Sequence, residues 1–228
     1  MLAFPSKTKN LLGCVTLLIL ISVLTYFNSL KGSFQFDDIP LIKSHWLFDT
    51  DAFFDHHSGQ IGNRPIVYWT YALNNQLALH QVFGFHLMNL ALHIGVTLLI
   101  FFTICRARYL QNEFGWVLPL TTALLFSLHP LNTDSVSYIS SRSSLLATFF
   151  YLLTLYVFLN LFCPKKKTLL ANKLVITLLV VSGIYLSIAS KLIGVTLPLM
   201  LTIWYWSFIG RKQYPVFHKA LTNNRSVA

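Results

Sequence analysis

Two aspartates stand side by side directly after the first long apolar run of the chain. Asp37 and Asp38 lie in the segment Phe34-Gln-Phe-Asp-Asp-Ile-Pro40. Adjacent carboxylates repel each other, and a carboxylate beside an apolar interface is partly desolvated, so such a group accepts a proton more readily. The pair therefore suits a general base. The alternative is a turn in which aspartate caps the helix that follows.

A stripe of polar side chains occupies the start of the next long apolar run. His86 and His93 are seven residues apart, two turns of a helix, and Asn89 lies on the same face. Polar groups on an intramembrane face usually point into the protein interior. They are either hydrogen-bonded packing residues or the lining of a site. The spacing alone does not favour a metal, because no pair of histidines four residues apart is accompanied by an acid.

Two cations lie at the ends of apolar runs. Arg142 ends a polar hairpin that begins at His129 and includes Asp134. A guanidinium beside an apolar helix needs an anionic partner, which is either Asp134 in a structural ion pair or the phosphate of a ligand. Lys191 stands between two apolar runs without an acid nearby in the sequence, so it either meets an anion or snorkels to the interface.

The composition is that of a membrane protein. Of 228 residues, 55% are hydrophobic and 11% are charged, and the mean hydropathy is +0.61, which is far from the balance of a soluble domain. The formal net charge of +10 does not indicate nucleic acid as a partner, because the bases form no continuous face with interleaved aromatic residues. The cysteines have no paired spacing and fall within or at the end of apolar runs, which predicts three buried thiols, Cys14, Cys105 and Cys163.

The apolar runs predict an all-α membrane protein, since lipid offers the backbone no hydrogen-bond partners and about 20 helical residues cross a hydrocarbon core. About six transmembrane helices are expected in a single domain, residues 1–228, at 11–30, 84–105, 116–130, 145–163, 174–190 and 193–210. The first outer loop, residues 31–83, is too apolar to be a free hydrophilic loop. From Pro65 to about His80 its pattern predicts an amphipathic helix at the membrane interface.

The charges predict the orientation in the membrane. Most of the 17 lysine and arginine residues fall on one side of the spans, and all but one of the 7 acids fall on the other. The positive-inside rule makes both termini cytoplasmic, including the tail at 211–228, so the acidic pair faces the periplasm or a lumen. The outer stretches 31–83 and 131–144 and the Ser190-Lys191 junction are then expected to converge on one face.

Five segments, taken in order, resemble the membrane part of the GT-C glycosyltransferases, in particular the TMTC-type protein O-mannosyltransferases and their bacterial relatives. The segments are Phe36-Asp37-Asp38; Asn63-Arg64-Pro65-Ile66; Gly84 to His93; Leu125 to Pro130 with Val136 to Leu146; and Ser190-Lys191 with Leu197-Pro198. The resemblance covers nearly the whole chain. It implies a GT-C-like module whose first outer loop carries the catalytic base and whose donor is a monosaccharide linked to polyprenyl phosphate.

The same resemblance implies roles for the residues singled out above. Asp37 or Asp38 is the base that deprotonates an acceptor hydroxyl as it attacks the anomeric carbon with inversion. The cations expected on the phosphate side of the donor are Arg64, Arg142 and Lys191. The residues expected to line the pocket are His86, Asn89, His93, His129 and Asp134. The expected partners are the bilayer, the lipid-linked sugar and a protein or glycan acceptor.

A metal is not part of this expectation. Arginine and lysine alone can hold a lipid monophosphate leaving group, and no cofactor is indicated. If a divalent ion does bind near the site, its candidate ligands are Asp37, Asp38 and Asp134.

Two features depart from the family pattern. Where the family usually reads Ser-Lys-Glu, this chain has Ser190-Lys191-Leu192, so an apolar side chain replaces a carboxylate expected at the outer face. The chain also has six predicted spans, whereas GT-C enzymes generally continue through further helices. The alternative to an enzyme is therefore a non-catalytic membrane subunit that packs against a partner complex.

Overall fold

The fold is helical wherever it is described. A computed structural model describes residues 8–42, 64–76, 81–110, 115–161 and 170–207. The α-helices in these ranges are α1 (Thr8–Tyr26), α2 (Asp38–Ile42), α3 (Pro65–Gln76), α4 (Val82–Leu110), α5 (Val117–Ser127), α6 (Asn132–Ser137), α7 (Arg142–Leu161), α8 (Leu170–Ser190) and α9 (Leu197–Tyr205). Short 3-10 helices cover Phe27–Lys31, Ile139–Ser141 and Leu192–Thr196. The predicted all-α class is confirmed for these residues.

Three helical stretches of the described chain are long and apolar enough to cross a membrane. They are Asn10–Lys31, Val82–Arg108 and Ile139–Asn160, and they coincide with the first, second and fourth predicted spans. The other three predicted spans coincide with shorter apolar helices, Val117–Ser127, Leu174–Ser190 and Leu192–Tyr205. The count of six crossings stays a prediction.

The amphipathic segment predicted in the first outer loop is a helix, α3. Pro65 stands at its first position, where the missing N–H leaves no helical hydrogen bond unmade. One face of α3 is buried, with Val67, Tyr71 and Asn74 at helical spacing. Some predicted features lie outside the described residues. They are the loop parts at 43–63 and 77–80, the tail at 211–228 and the thiol of Cys163.

The helices α4 and α7 form the centre of the bundle. α4 packs against α1, α5 and α7, and α7 packs most extensively against α8. A buried apolar cluster fixes α3 onto this centre through Val67, Tyr71, Phe85, Ile139 and Leu146. Close packing of side chains stabilises contacts between helices in lipid, where the hydrophobic effect does not drive them together. The segment 64–76 is therefore attached to the bundle by packing at α3.

Hydroxyl groups join α1 to the end of α5. Ser22 Oγ and Ser127 Oγ are 2.8 Å apart, and the Tyr26 hydroxyl donates to the Ser127 carbonyl at 3.3 Å. Small polar contacts of this kind are typical of helix pairs in membranes, because lipid cannot satisfy such groups. They fix the end of α1, from which the chain continues to the acidic pair.

The chain turns sharply between α8 and α9. Lys191 has extended backbone angles, φ −161° and ψ 141°, and the 3-10 helix Leu192–Thr196 leads from it into α9. Gly194 lies against the backbone of α8, where an added Cβ would be 2.6 Å from the nitrogen of Ile188 and the carbonyl carbon of Ser187. A side chain at position 194 would push the turn away from α8.

Gly194→Ala is therefore expected to lower the free energy of unfolding by about 1–3 kcal/mol, the usual cost of forcing extra atoms into a packed region. The measurement is the unfolding midpoint of the purified protein in detergent. Gly13→Ala in α1 is the matched control, because a Cβ there meets nothing within 4 Å and alanine favours a helix by about 1 kcal/mol. Equal midpoints for the two variants would contradict the close packing of Gly194.

Candidate functional site

A pocket of about 180 Å³ lies beside the acidic pair. The residues that line it are Asp37, Arg64, Val67, Tyr68, Tyr71 and Ser140. Three of them come from α3, Arg64 directly precedes that helix, and Ser140 comes from the turn before α7. The pocket therefore brings together a carboxylate and a guanidinium from the first outer loop beside two tyrosine rings.

The two aspartates have different surroundings. Asp38 is only 1% exposed, and it accepts hydrogen bonds from the backbone nitrogen and the hydroxyl of Ser140 at 2.8 and 2.6 Å and from the Gln35 nitrogen at 3.2 Å. Asp37 is exposed and lines the pocket. A buried acid bonded to three donors holds its loop in shape. The capping alternative thus describes Asp38, and an accessible carboxylate suitable for a base is found at Asp37.

An unusual backbone conformation precedes the acidic pair. Phe36 has a φ of +44°, in the left-handed region that a bulky residue rarely adopts, and its side chain is 81% exposed. The turn is closed by a hydrogen bond of 2.9 Å from the Asp38 nitrogen to the Gln35 carbonyl. Such strain persists only where the surroundings hold it. The contacts of Asp38 with Gln35 and Ser140 therefore fix the turn that presents Asp37.

Tyr138 contacts Asp37 from the other side of the site. The backbone N–H of Asp37 donates to the Tyr138 hydroxyl oxygen at 3.3 Å. Partial burial raises the pKa of the Tyr138 hydroxyl, and the Asp37 carboxylate acts in the same direction. The hydroxyl therefore keeps its proton at neutral pH. The sequence pattern assigns no separate role to Tyr138.

A run of serines around Arg142 contacts most of the charged residues of this region. In the segment Ser140–Ser144, each serine hydroxyl bonds to a different charged side chain. The pairs are Ser140 with Asp38 (2.6 Å), Ser141 with Asp134 (3.1 Å), Ser143 with Arg64 (3.2 Å) and Ser144 with Lys191 (2.7 Å). One five-residue segment thus joins the acidic pair, the polar hairpin, the first outer loop and the α8–α9 turn.

Arg142, at the centre of this segment, points into the protein. It is fully buried, and its guanidinium lies 4.4 Å from the centroid of the Tyr71 ring. Its nitrogens donate to neutral acceptors on α3 and α4, namely Asn89 Oδ1 (2.8 Å), Asn74 Oδ1 (3.0 Å), the Phe85 carbonyl (3.0 Å) and the Thr70 carbonyl (3.3 Å). Its described contacts do not include Asp134, one of the two predicted partners, because the guanidinium points into the interior and Asp134 is exposed on the hairpin. The predicted contact of Arg142 with a phosphate stays a prediction.

The other two predicted cations reach the same turn of α7. Arg64 is exposed and Lys191 is half-buried, and they bond to the adjacent serines Ser143 and Ser144. Among the described residues, neither cation has a carboxylate as a hydrogen-bond partner. The hydrogen-bond partners described for Arg64 and Lys191 are thus neutral hydroxyls on consecutive residues of α7. Arg64 lines the pocket, and Lys191 is not among its lining residues.

The histidine stripe of α4 lies in the packed interior. His86 and His93 are buried, and neither is among the residues that line the pocket. His86 packs against the turn after α1, since a Cβ on Gly32 would lie 2.8 Å from its Nε2. His93 meets the Tyr26 ring edge-on, with centroids 5.0 Å apart. Asn89, on the same stripe, bonds to Arg142. The role predicted for these three residues in lining a pocket stays a prediction.

His129 and Asp134 lie on the exposed hairpin between α5 and α7. The Nδ1 of His129 accepts from the Leu131 nitrogen at 3.3 Å, and Asp134 contacts Ser141. Neither lines the described pocket. The described residues contain no group of three or more His, Cys, Asp or Glu side chains placed to hold a metal ion.

Several pocket residues were not predicted from the sequence. Tyr68 and Tyr71 line the pocket from α3. Ser143 and Ser144, which are not among the lining residues, bond to the two cations. The signal for Tyr71 is present in the sequence, since it shares a helical face with Val67 and Asn74. Burial raises the pKa of the Tyr71 hydroxyl, which donates to the Ile139 carbonyl at 2.8 Å. Tyr71 thus joins α3 to the start of α7.

Comparison with known proteins gives relatives of one kind. The chain is 32% identical to human protein O-mannosyl-transferase TMTC1 over 155 residues, which are 62% of this chain and 17% of that protein. It is 30% identical to mouse protein O-mannosyl-transferase TMTC3 over 151 residues, 60% of this chain and 16% of the relative. It is 28% identical to the Caenorhabditis elegans protein O-mannosyl-transferase F38B6.6 over 167 residues, 66% of this chain and 24% of the relative.

The resemblance predicted from the ordered motifs is therefore confirmed. This chain is similar to the TMTC-type protein O-mannosyl-transferases, and it spans less than a quarter of the length of the relatives named above. No protein-family model matches the chain. No solved structure matches it either.

Proposed function

We propose that this chain, similar to the TMTC-type protein O-mannosyl-transferases, is a membrane glycosyltransferase that transfers a sugar with inversion. The donor is a sugar on polyprenyl phosphate, and the acceptor is a hydroxyl of a protein or glycan. The observation that carries the proposal is the meeting of Asp37 and Arg64 in one pocket. In the proposed topology the chain crosses the membrane six times, both termini are cytoplasmic, and the pocket faces the periplasm or a lumen.

In this proposal Asp37 is the general base. The acceptor hydroxyl gives its proton to the Asp37 carboxylate while its oxygen attacks the anomeric carbon from the face opposite the phosphate. The bond between that carbon and the phosphate oxygen breaks, and its electron pair leaves with the polyprenyl phosphate. General-base catalysis of this kind contributes about 10²–10⁴-fold in rate. The exposure of Asp37 and its place beside the pocket support this assignment over Asp38.

The cations Arg64 and Lys191 form the phosphate side. Negative charge builds up on the phosphate as the sugar departs, and fixed cations near that position stabilise the transition state. Both cations bond to neutral hydroxyls, so their charge is not cancelled by an acid in those contacts. Arg142 acts in this proposal through the packing of α3, α4 and α7, since its donors are bonded to neutral acceptors.

The size of the pocket supports a small sugar group. Its volume of about 180 Å³ is below the roughly 300–1,000 Å³ of sites that enclose drug-sized ligands. A single sugar ring suits such a space, and the half-buried Tyr68 ring offers it an apolar face. The polyprenyl chain would then remain outside the pocket.

A second candidate function is a non-catalytic subunit that packs against a partner. The observation that favours it is the apolar surface beside Lys191, where Leu192 is 70% exposed and Ile193 is 59% exposed. An acid in place of Leu192, as the related family usually has, would be a natural companion for the Lys191 ammonium. In this alternative the α8–α9 turn contacts another membrane protein.

The test is sugar transfer by the purified chain in lipid nanodiscs. Polyprenyl-phosphate donors labelled in the sugar are offered with peptide and glycan acceptors, and both the labelled acceptor and the released polyprenyl phosphate are measured. The proposal expects the two products to appear in equal amounts. A well-folded chain that turns over no polyprenyl-phosphate sugar and binds no polyprenyl phosphate would contradict it, and a stoichiometric membrane partner would then favour the second candidate.

A further inference from the structure

The way a cation is held decides how much of its charge a ligand meets. A carboxylate orients a cation and also cancels most of its charge. A hydroxyl oxygen accepts a hydrogen bond from the cation, which orients the cation but leaves its charge available to a ligand. Arg64 and Lys191 are both held in the second way, by Ser143 Oγ at 3.2 Å and Ser144 Oγ at 2.7 Å.

The serines before and after Arg142 bond to side chains of opposite charge. Ser140 and Ser141, before Arg142, bond to aspartates, and Ser143 and Ser144, after it, bond to cations. Adjacent residues of a helix are about 1.5 Å apart along its axis and about 100° apart around it. The two cations are therefore bonded to consecutive residues of one helical turn, whose side chains leave the helix in directions about 100° apart.

The backbone that carries the two serines is itself fixed. Arg142, directly before them, is buried and bonded to α3 and α4. Ser143 is buried and Ser144 is half-buried. Two long, flexible side chains thus end on a rigid support, which lowers the entropy lost when a ligand orders them.

We propose that Ser143 and Ser144 are positioning residues for the phosphate of a lipid monophosphate. They orient Arg64 and Lys191 from consecutive residues of α7 without cancelling their charge, so that the phosphate meets cations held by neutral hydroxyls. The inference rests on the proposed function, which assigns the cations but gives no role to these serines. Its specific content is that a neutral hydroxyl, and not merely a polar side chain, is required at position 144.

The test compares three substitutions at one position, using the full chain in nanodiscs and polyprenyl monophosphate as the probe. Ser144→Thr keeps the hydroxyl and is expected to bind the probe nearly as tightly as the unaltered chain. Ser144→Ala releases Lys191 and is expected to weaken binding about tenfold, as for the loss of a hydrogen bond to a charged group. Ser144→Asp keeps Lys191 in place but cancels its charge, and is expected to weaken binding at least as much as alanine does.

Companion variants separate positioning from folding. Ser143→Ala is expected to weaken binding of the probe through Arg64, with recovery in Ser143→Thr. Ser182→Ala is the control, because this serine on α8 bonds only to the Leu179 carbonyl of its own helix. Unfolding midpoints of all variants are measured together with the affinities, so that a loss of affinity is attributed to positioning only where the midpoint is unchanged.

The outcomes distinguish the inference from the proposed function. Affinity that follows the order serine and threonine, then alanine, then aspartate supports the positioning role. Equal affinity of the unaltered chain and the Ser144→Ala, Ser144→Asp and Ser143→Ala variants would overturn that role and leave the proposed function standing. An unaltered chain that does not bind polyprenyl monophosphate would overturn both. Affinities that change only in step with the unfolding midpoints would reduce the serines to structural residues.

Discussion

Asparagine in place of Asp37 is expected to lower the rate of sugar transfer by about two to four orders of magnitude, the usual contribution of a general base. The amide has nearly the same shape as the carboxylate but cannot take up the acceptor proton. Asp37 is exposed, its backbone N–H donates to Tyr138, and its carboxylate also interacts with the Tyr138 hydroxyl. Because the amide oxygen of asparagine can still accept from that hydroxyl, the substitution disturbs the surrounding hydrogen bonds little. The unfolding midpoint and the affinity for polyprenyl monophosphate are therefore expected to stay unchanged. Single-turnover transfer from a labelled donor measures the rate.

Substitution of the neighbouring Asp38 is expected to lower stability as well as activity. Asp38→Asn turns one of the acceptor oxygens into a donor that faces Ser140 or Gln35, which donate to it now. Leaving a buried group without its partner costs about 1–3 kcal/mol, so this variant is expected to lose stability along with activity. Asp134→Asn is the control for a charge lost from an exposed hairpin. A fully active Asp37→Asn protein beside a stable but inactive Asp38→Asn protein would move the base to Asp38.

Arg142→Met is expected to lower the free energy of unfolding by about 3–5 kcal/mol, the largest effect on stability predicted for this chain. The methionine fills part of the space but leaves buried acceptors without a donor, among them Asn74 Oδ1 and Asn89 Oδ1. Each buried polar group left without a partner costs about 1–3 kcal/mol. Unfolding in detergent, followed by helical circular dichroism, measures the loss.

Arg142→Lys separates anchoring from phosphate binding. Lysine keeps the charge but lacks the planar fork that reaches α3 and α4 at once, so it is also expected to be destabilised, although less than methionine. If Arg142 instead contacts the donor phosphate, the lysine variant would keep its unfolding midpoint and lose affinity for polyprenyl monophosphate. Substitution of the half-buried Arg106 is the control. Its hydrogen bonds to the carbonyls of Leu159 and Asn160 are only partly buried, whereas those of Arg142 are buried.

The long helices of the bundle were predictable from the sequence, because a long apolar run in lipid can satisfy its backbone hydrogen bonds only as a helix or in a closed barrel. The start of α7 was harder to predict. The fourth span was expected at 145–163, whereas α7 begins at Arg142. A hydropathy pattern excludes a charged residue from a span, but here neutral acceptors and the Tyr71 ring enclose the guanidinium. The 3-10 helix after Lys191 likewise has no periodic signal in the sequence.

The sequence also singled out the charged residues that line the pocket, Asp37 and Arg64. It did not show that Asp37 and Asp38 have different surroundings. Asp37 and Asp38 are equivalent in a sequence pattern, and they differ because the turn at Phe36 and the contact with Ser140 bury only the second. Three of the four serine contacts join residues 47 to 102 positions apart in the chain, and only Ser141 with Asp134 is local. No local pattern encodes such pairs, because they depend on how α3, α7 and the α8–α9 turn pack together.

The place of the serine segment along its helix also sets its depth in a membrane. The apolar stretch that contains α7 begins at Ile139, so Ser140 to Ser144 occupy less than about the first 10 Å of that stretch. Lipid phosphates lie in the headgroup region, just outside the hydrocarbon core, so the start of such a stretch is the part nearest to them. A polyprenyl phosphate would therefore meet Arg64 and Lys191 while its chain stays in its own leaflet, and only the sugar would have to enter the protein.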